Sequence, residues 1–95
     1  KAKSMEAIEA SALKTNLEAA DKLCQQIKIR NLSGIIIVDF INMNQRNCDI
    51  LMEHLKSLAK KDIVSTTIVD ITKLGLVEIT RKKIGKSLSE SLNKA

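Results

Sequence analysis

The sequence predicts an α/β domain whose elements follow the order α-β-α-β-α, with a small parallel sheet. Two β-branched apolar runs support this prediction, one at residues 35–41 behind Gly34 and one at residues 64–71. Helix-type spacing of apolar residues before and between these runs completes a βαβ pattern. A βαβ unit closes with a right-handed crossover and parallel strands. The 95 residues are enough for a single domain.

The first helix is expected over residues 4–29, with Ser4 as its N-cap. Apolar residues recur there at intervals of three and four, as on one face of a helix: Ile8, Leu13, Leu17, Ala20, Cys24 and Ile27. The turn at residues 31–34 leads into the first strand. That strand is apolar without interruption, which is typical of a strand buried on both faces.

The second helix is expected over residues 46–60, and Asn44 and Asn47 are two candidate N-caps. The second strand follows at residues 64–71. Residues 74–84 fit a helix capped by Thr72, which is the preferred prediction. The alternation of Val77, Ile79 and Arg81 also fits a strand, and residues 87–95 are expected to be a fraying end.

Composition narrows the class of protein and of partner. No apolar run reaches the roughly 18 residues that a membrane span needs. Cys24 and Cys48 are far apart and have no metal-binding spacing, so we expect free thiols and a cytoplasmic protein. The net charge of +5 favours a polyanionic partner. With a single aromatic residue, contact with RNA would use phosphates and metal rather than base stacking.

Asp39 is the first candidate site residue, because it is an acid near the end of an apolar strand. A carboxylate in that position must be paired, hydrogen-bonded or bound to a cation. The residues alone leave open a metal ligand or a capping acid. Asp70, near the end of the second strand, either approaches Asp39 or is a solvated strand-end residue. The basic run at residues 81–83, with Lys86, is by default a solvated face.

Four ordered segments resemble the RNase E/G family of bacterial endoribonucleases. Residues 15–21 resemble its TNLEAA segment, and residues 34–41 resemble its GGxIxIDFIDM core. Residues 61–62 stand where that family has QDR or KDR, and residues 74–83 are similar to its FGLxEMTRKR. The resemblance covers most of the chain, from Thr15 to Leu88.

The resemblance implies that residues 1–95 are a single domain and a fragment of a larger catalytic core, most of its DNase I-like subdomain. It implies a hydrated Mg²⁺ held by two aspartates, of which Asp39 is one. The other lies in a D-x-N segment upstream of TNLEAA that this sequence does not include. The zinc-linking CxxC and the family's other RNA-binding and 5′-end-sensing parts are also missing. We therefore expect the 95-residue chain to be inactive alone.

The implied function is Mg²⁺-dependent cleavage of single-stranded RNA in RNA processing or decay. Asp39 would be the catalytic metal ligand, Arg81 and Lys83 would contact phosphate, and the full-length protein would be a homo-oligomer. Three positions depart from the family: Asn42 replaces an acid, Ser33 a glycine and Ile63 an arginine. The alternative is a non-catalytic RNA-docking or assembly module of the same fold. A doubly wound phosphate-binding domain is a weaker alternative, because the sequence has no Gly-rich βα loop.

Overall fold

The computed structural model describes residues 2–70 and 76–84, and in these residues it shows two helices and a three-stranded sheet. In chain order the elements are α1 (Ala2–Ile29), β1 (Gly34–Asp39), α2 (Gln45–Lys60), β2 (Thr66–Asp70) and β3 (Leu76–Arg81). The predicted α/β class is confirmed. The predicted cap Thr72, Lys86 and the predicted fraying end at residues 87–95 lie outside the described residues.

The two helices begin close to where the sequence predicts. α1 starts at Ala2, so Ser4 lies within the helix and the prediction that it is the N-cap is wrong. Asn44 is the N-cap of α2: it has extended backbone angles, and its side chain accepts a hydrogen bond from the Asn47 N–H at 2.9 Å. Neither helix is apolar over a length that would cross a membrane.

The sheet is antiparallel, so the prediction of a parallel sheet is wrong. β3 lies between β1 and β2 and pairs antiparallel with both. Gly34 and Thr66 both face Arg81 across the sheet, which means that β1 and β2 run in the same direction without pairing. The βαβ connection is present, but a third strand occupies the space between its two strands.

The inserted strand is the segment for which a helix was preferred, and that preference is wrong. Along β3, Val77, Ile79 and Arg81 are buried and the residues between them are partly exposed. This period of two is the signature of a strand with one covered face. The alternation of Val77, Ile79 and Arg81 is visible in the sequence, but with an arginine in the third inward position only two of the three positions are apolar.

Both helices contribute to a core on one face of the sheet. The buried core residues are Ala20, Ile27, Phe40, Leu51, Leu55, Ile68, Val77 and Ile79. The opposite face is open: Ile35, Ile37 and Val69 are 68%, 52% and 45% exposed. β1 is therefore an edge strand with one open face, and the prediction that it is buried on both faces is wrong.

Candidate functional site

Asp39 is the last residue of β1, and its backbone pairs with that of Leu76. Because side chains alternate along a strand, Asp39 shares the open face of the sheet with Ile35 and Ile37. Asp39 is exposed to solvent. Within residues 2–70 and 76–84, its carboxylate accepts no hydrogen bond and forms no ion pair. The carboxylate is thus accessible to a ligand from solvent.

The chain directly after Asp39 is held by two contacts. Phe40 inserts its side chain into the core and is 6% exposed. Asn16 of α1, 2% exposed, bonds the backbone of Ile41 twice: its Nδ2 donates to the Ile41 carbonyl at 2.9 Å, and its Oδ1 accepts from the Ile41 N–H at 3.0 Å. Sequence reasoning missed Asn16. The available signal was a polar residue between Leu13 and Ala20 on the apolar face of α1.

A second contact from α1 reaches the start of α2. The Glu9 carboxylate accepts hydrogen bonds from the Asn44 backbone N–H at 2.9 Å and from the Asn47 side-chain amide at 3.1 Å. α1 therefore holds the loop between β1 and α2 near both of its ends. This loop carries the chain from Asp39 to the second helix.

Asp39 could supply one carboxylate ligand of a magnesium site. Mg²⁺ binds through one or two protein carboxylates and keeps several waters, and an exposed aspartate suits that role. No group of three or more His, Cys, Asp or Glu residues in the described part of the chain is placed to hold a metal ion. The backbone of Asp70 pairs with Val77. Its side chain lies outside the described residues, so its approach to Asp39 stays a prediction.

Arg81 is buried in a network of protein groups. Its residue exposure is 3%, and its Nε and Nη2 donate to the two Asp62 carboxylate oxygens at 2.8 and 3.3 Å. Its Nη1 donates to the Asn31 side chain at 2.9 Å and to the Leu32 carbonyl at 3.0 Å. The predicted contact between Arg81 and RNA phosphate stays a prediction, and it would compete with these four hydrogen bonds.

Asp62 completes this network. Burial by itself raises the pKa of the Asp62 carboxyl. The hydrogen bonds and positive charge of Arg81, together with hydrogen bonds from the Val64 N–H and the Thr66 hydroxyl, have the larger effect and hold the pKa below its ordinary value. Val64 and Thr66 donate at 3.0 and 3.3 Å. The ion pair joins the turn before β2 to the end of β3, so two of the family-like segments meet through a structural contact.

Lys83 differs from Arg81 in being exposed. It belongs to a group of six exposed cations that we call the basic end, located where α1, α2 and β3 finish: Lys28, Arg30, Lys60, Lys61, Lys82 and Lys83. The acid within this region, Asp62, is paired with Arg81. The basic end therefore presents positive charge to solvent.

Asp39 and the basic end lie at opposite ends of the sheet. Asp39 pairs with Leu76 at one end of β3, whereas Gly34 pairs with Arg81 at the other. At about 3.4 Å per residue, the five steps from Gly34 to Asp39 span about 17 Å. The structure thus does not bring the predicted metal ligand and the predicted phosphate contacts together.

The histidine and the two cysteines of the chain lie among residues that pack the fold together. The His54 Nε2 lies 2.7 Å from the Asp21 Oδ1 and links α2 to α1. Cys24 and Cys48 form no disulfide within the described residues, as predicted, and burial raises the pKa of the Cys24 thiol. Within the described residues, none of these three side chains forms a metal-binding group with Asp39.

Comparison with known proteins agrees with the four sequence segments. The model of the ribonuclease E/G family matches residues 1–84. A ribonuclease E/G-like protein of Porphyra purpurea is 47% identical over 81 residues, and the ribonuclease E proteins of Synechocystis sp. and Escherichia coli are 42% and 38% identical over 81 and 85 residues.

These alignments cover 84%, 84% and 88% of this chain, in the same order, but only 16%, 12% and 8% of the relatives. The chain therefore spans a small part of the length of the curated relatives that it matches. The family match includes all of the described residues. The chain belongs to the ribonuclease E/G family.

Proposed function

We propose that this chain is part of the catalytic region of a Mg²⁺-dependent endoribonuclease that cuts single-stranded RNA. Relatives named ribonuclease E support the reaction class. The observation that carries the proposal is Asp39: an exposed carboxylate at the end of β1, with the backbone of Ile41, two residues later, held by Asn16. Family membership and this geometry together favour a metal ligand over a capping acid.

Phosphodiester cleavage needs a cation to polarise a phosphoryl oxygen and to lower the pKa of an attacking water, and Mg²⁺ supplies both when bound. Asp39 would contribute one carboxylate to that ion. Its exposure leaves room for coordinated water and for a phosphate group. The second protein carboxylate would come from outside this chain, so we expect the 95-residue chain to cleave no RNA by itself.

RNA would contact the basic end through its phosphates. Lysines bind phosphate as point charges and position the nucleic acid without reading its sequence. Lys83 and its exposed neighbour Lys82 suit this role. Arg81 would act mainly by fixing the end of β3 from which Lys82 and Lys83 extend. A chain of RNA nucleotides would then run from the basic end toward Asp39.

Three finer features belong to the same proposal. The fold is part of a DNase I-like subdomain, the full-length protein is a homo-oligomer, and the protein functions in the cytoplasm. The half-buried thiol of Cys24 supports the last of these, because unoxidised cysteines persist in reducing compartments. The second candidate function is a non-catalytic RNA-docking module, which the separation of the basic end from Asp39 favours.

The test is single-turnover cleavage of a single-stranded RNA by the full-length protein in Mg²⁺, comparing wild type with Asp39→Asn. We expect the cleavage rate to fall by about a thousandfold, the scale for removing a charge-stabilising group, with RNA binding retained. Asp49→Asn, an exposed acid on α2, is the matched control and should cleave normally. An unchanged rate in Asp39→Asn would leave the docking module as the better explanation.

A further inference from the structure

The chain leaves the sheet immediately after Asp39. Residues 40–44 belong to no strand or helix, so no ladder partner determines the direction of the backbone there. On the upstream side, Asp39 is held by the β1–β3 ladder. On the downstream side, Phe40 and Asn16 provide the restraint. The orientation of the Asp39 carboxylate therefore depends on what holds the residues that follow it.

Asn16 supplies that restraint in the way a neighbouring strand would. Its side-chain amide donates to the carbonyl and accepts from the N–H of the same residue, Ile41, at 2.9 and 3.0 Å. The side chain is buried at 2% exposure. A buried amide with both ends satisfied has one favourable orientation, since rotating it would leave polar groups unpaired. The clamp is therefore rigid.

The position of the clamp relates it to Asp39. Ile41 is two residues beyond Asp39, and Phe40 between them is anchored in the core. Fixing the backbone of Ile41 restricts the peptide planes on which the Asp39 side chain depends. Sites that bind metal or substrate need their ligands held to about 0.5 Å by supporting residues, because looser ligands lose affinity.

We propose that Asn16 is a positioning residue that orients Asp39 for divalent-cation binding through the Ile41 backbone. This inference rests on the proposed role of Asp39 as a metal ligand. Asn16 makes no contact with the ion. Its effect on the site is transmitted through two hydrogen bonds and one residue of backbone.

The experiment measures Mn²⁺ binding to the full-length protein from the electron paramagnetic resonance signal of free Mn²⁺. Mn²⁺ is a suitable probe because it takes the same oxygen ligands and octahedral geometry as Mg²⁺. Four variants are compared with wild type: Asp39→Asn, Asn16→Ala, Asn16→Ser and Ile27→Ala. Ile27 is a core residue of α1 near the other end of the sheet, so Ile27→Ala destabilises the same helix without touching the loop.

We expect Asp39→Asn to abolish one Mn²⁺ site, and both Asn16 variants to weaken that site by about tenfold or more, the usual effect of losing a supporting partner. Ile27→Ala should bind Mn²⁺ as wild type does. The Asn16→Ser variant keeps a polar group in place and guards against loss of folding in Asn16→Ala. Hydrogen exchange at the Ile41 amide should accelerate in both Asn16 variants and not in Ile27→Ala.

The outcomes separate the two proposals. If Asp39→Asn binds Mn²⁺ normally, the assignment of Asp39 as a ligand fails. If Asp39→Asn loses the site but both Asn16 variants retain wild-type affinity while the Ile41 amide exchanges faster, the positioning role fails and Asn16 is structural only. If Ile27→Ala weakens the site as much as the Asn16 variants, the effect follows from lost stability and the positioning role also fails.

Discussion

The guanidinium of Arg81 and the carboxylate of Asp62 form a buried ion pair that joins three parts of the chain. Their side chains are 4% and 6% exposed. The remaining Arg81 donors bond Asn31 and Leu32 in the turn after α1. Removing one partner of a buried pair leaves an uncompensated charge and typically costs about 3–5 kcal/mol. This contact therefore fixes the turn after α1, the turn before β2 and the end of β3 relative to one another.

The pKa of Asp62 gives this contact a defined pH dependence. Because the folded-state pKa lies below the ordinary value of 3.8, the ion pair stabilises the fold fully above that value. The stabilisation is lost as the pH falls through the lower folded-state value. We expect Asp62→Asn to lower the free energy of unfolding by about 3 kcal/mol at pH 7 and by clearly less at pH 2.

Urea unfolding of the chain at the two pH values measures this difference. Asp49→Asn changes an exposed carboxylate that accepts one hydrogen bond from Gln45, so it should have little effect at either pH. A cost for Asp62→Asn that is the same at pH 7 and pH 2 would contradict the account. So would a stability of the wild-type chain that rises on acidification through this range.

At the scale of elements, α2 depends on how its first turn is satisfied. The Asn44 side chain accepts from the Asn47 N–H at 2.9 Å and so caps the helix. The backbone N–H of Asn44 also donates to Glu9, which joins the cap to α1. The start of α2 is thus fixed from within the helix and from a neighbouring one.

We predict that Asn44→Ala lowers the free energy of unfolding by about 1 kcal/mol, the typical cost of losing an N-cap. Asn44→Ser retains a capping oxygen and should cost only a few tenths of that amount. Thermal or urea unfolding of the two variants side by side tests the prediction. Equal destabilisation by alanine and serine would mean that the side chain of Asn44 is not the cap.

The elements also show what sequence can and cannot predict. Helical periodicity located α1 and α2, because each has an apolar face toward the core, and β-branched apolar runs located the first two strands. Periodicity failed at β3, where the third inward residue is Arg81, a charge whose partner Asp62 lies 19 residues away in sequence. No local pattern contains that partner. The antiparallel arrangement depends on β3, so the error in one element changed the sheet topology.

For the site, the sequence singled out Asp39 and Lys83, both of which are exposed. It grouped Arg81 with Lys83 because they are near in the chain, whereas alternation along β3 buries one and the strand end exposes the other. Asn16 was not recognised because its two hydrogen bonds go to backbone, 25 residues away. Every residue has a backbone N–H or carbonyl to offer, so the residue type at position 41 does not reveal that Asn16 binds there.

At the scale of the whole molecule, charge is divided between the two ends of the sheet. The basic end and Asp39 lie at opposite ends of β1, whose six residues span about 17 Å. Under the proposed function, RNA phosphates would bind at the basic end and the RNA chain would be cut near Asp39. The division of charge arises from topology, since α1, α2 and β3 all finish at the same end.

Removing Lys82 and Lys83 should therefore weaken RNA binding in a salt-dependent manner. Each lost phosphate contact on single-stranded nucleic acid reduces the slope of log affinity against log salt by about 0.7, so the double alanine variant should lose about 1.4. Binding of a single-stranded RNA to the full-length protein at several salt concentrations measures the slope. The control is Lys14→Ala with Lys22→Ala, two exposed lysines on α1. Equal losses in both double variants would contradict a specific basic end.

The most direct test of the account is the dependence of the single-turnover cleavage rate on RNA concentration in the full-length protein. Asp39→Asn should lower the maximal rate by about a thousandfold and leave the half-saturating RNA concentration unchanged. The Lys82 and Lys83 double variant should raise the half-saturating concentration and leave the maximal rate unchanged. A wild-type maximal rate in Asp39→Asn would contradict the central claim that Asp39 holds the catalytic ion.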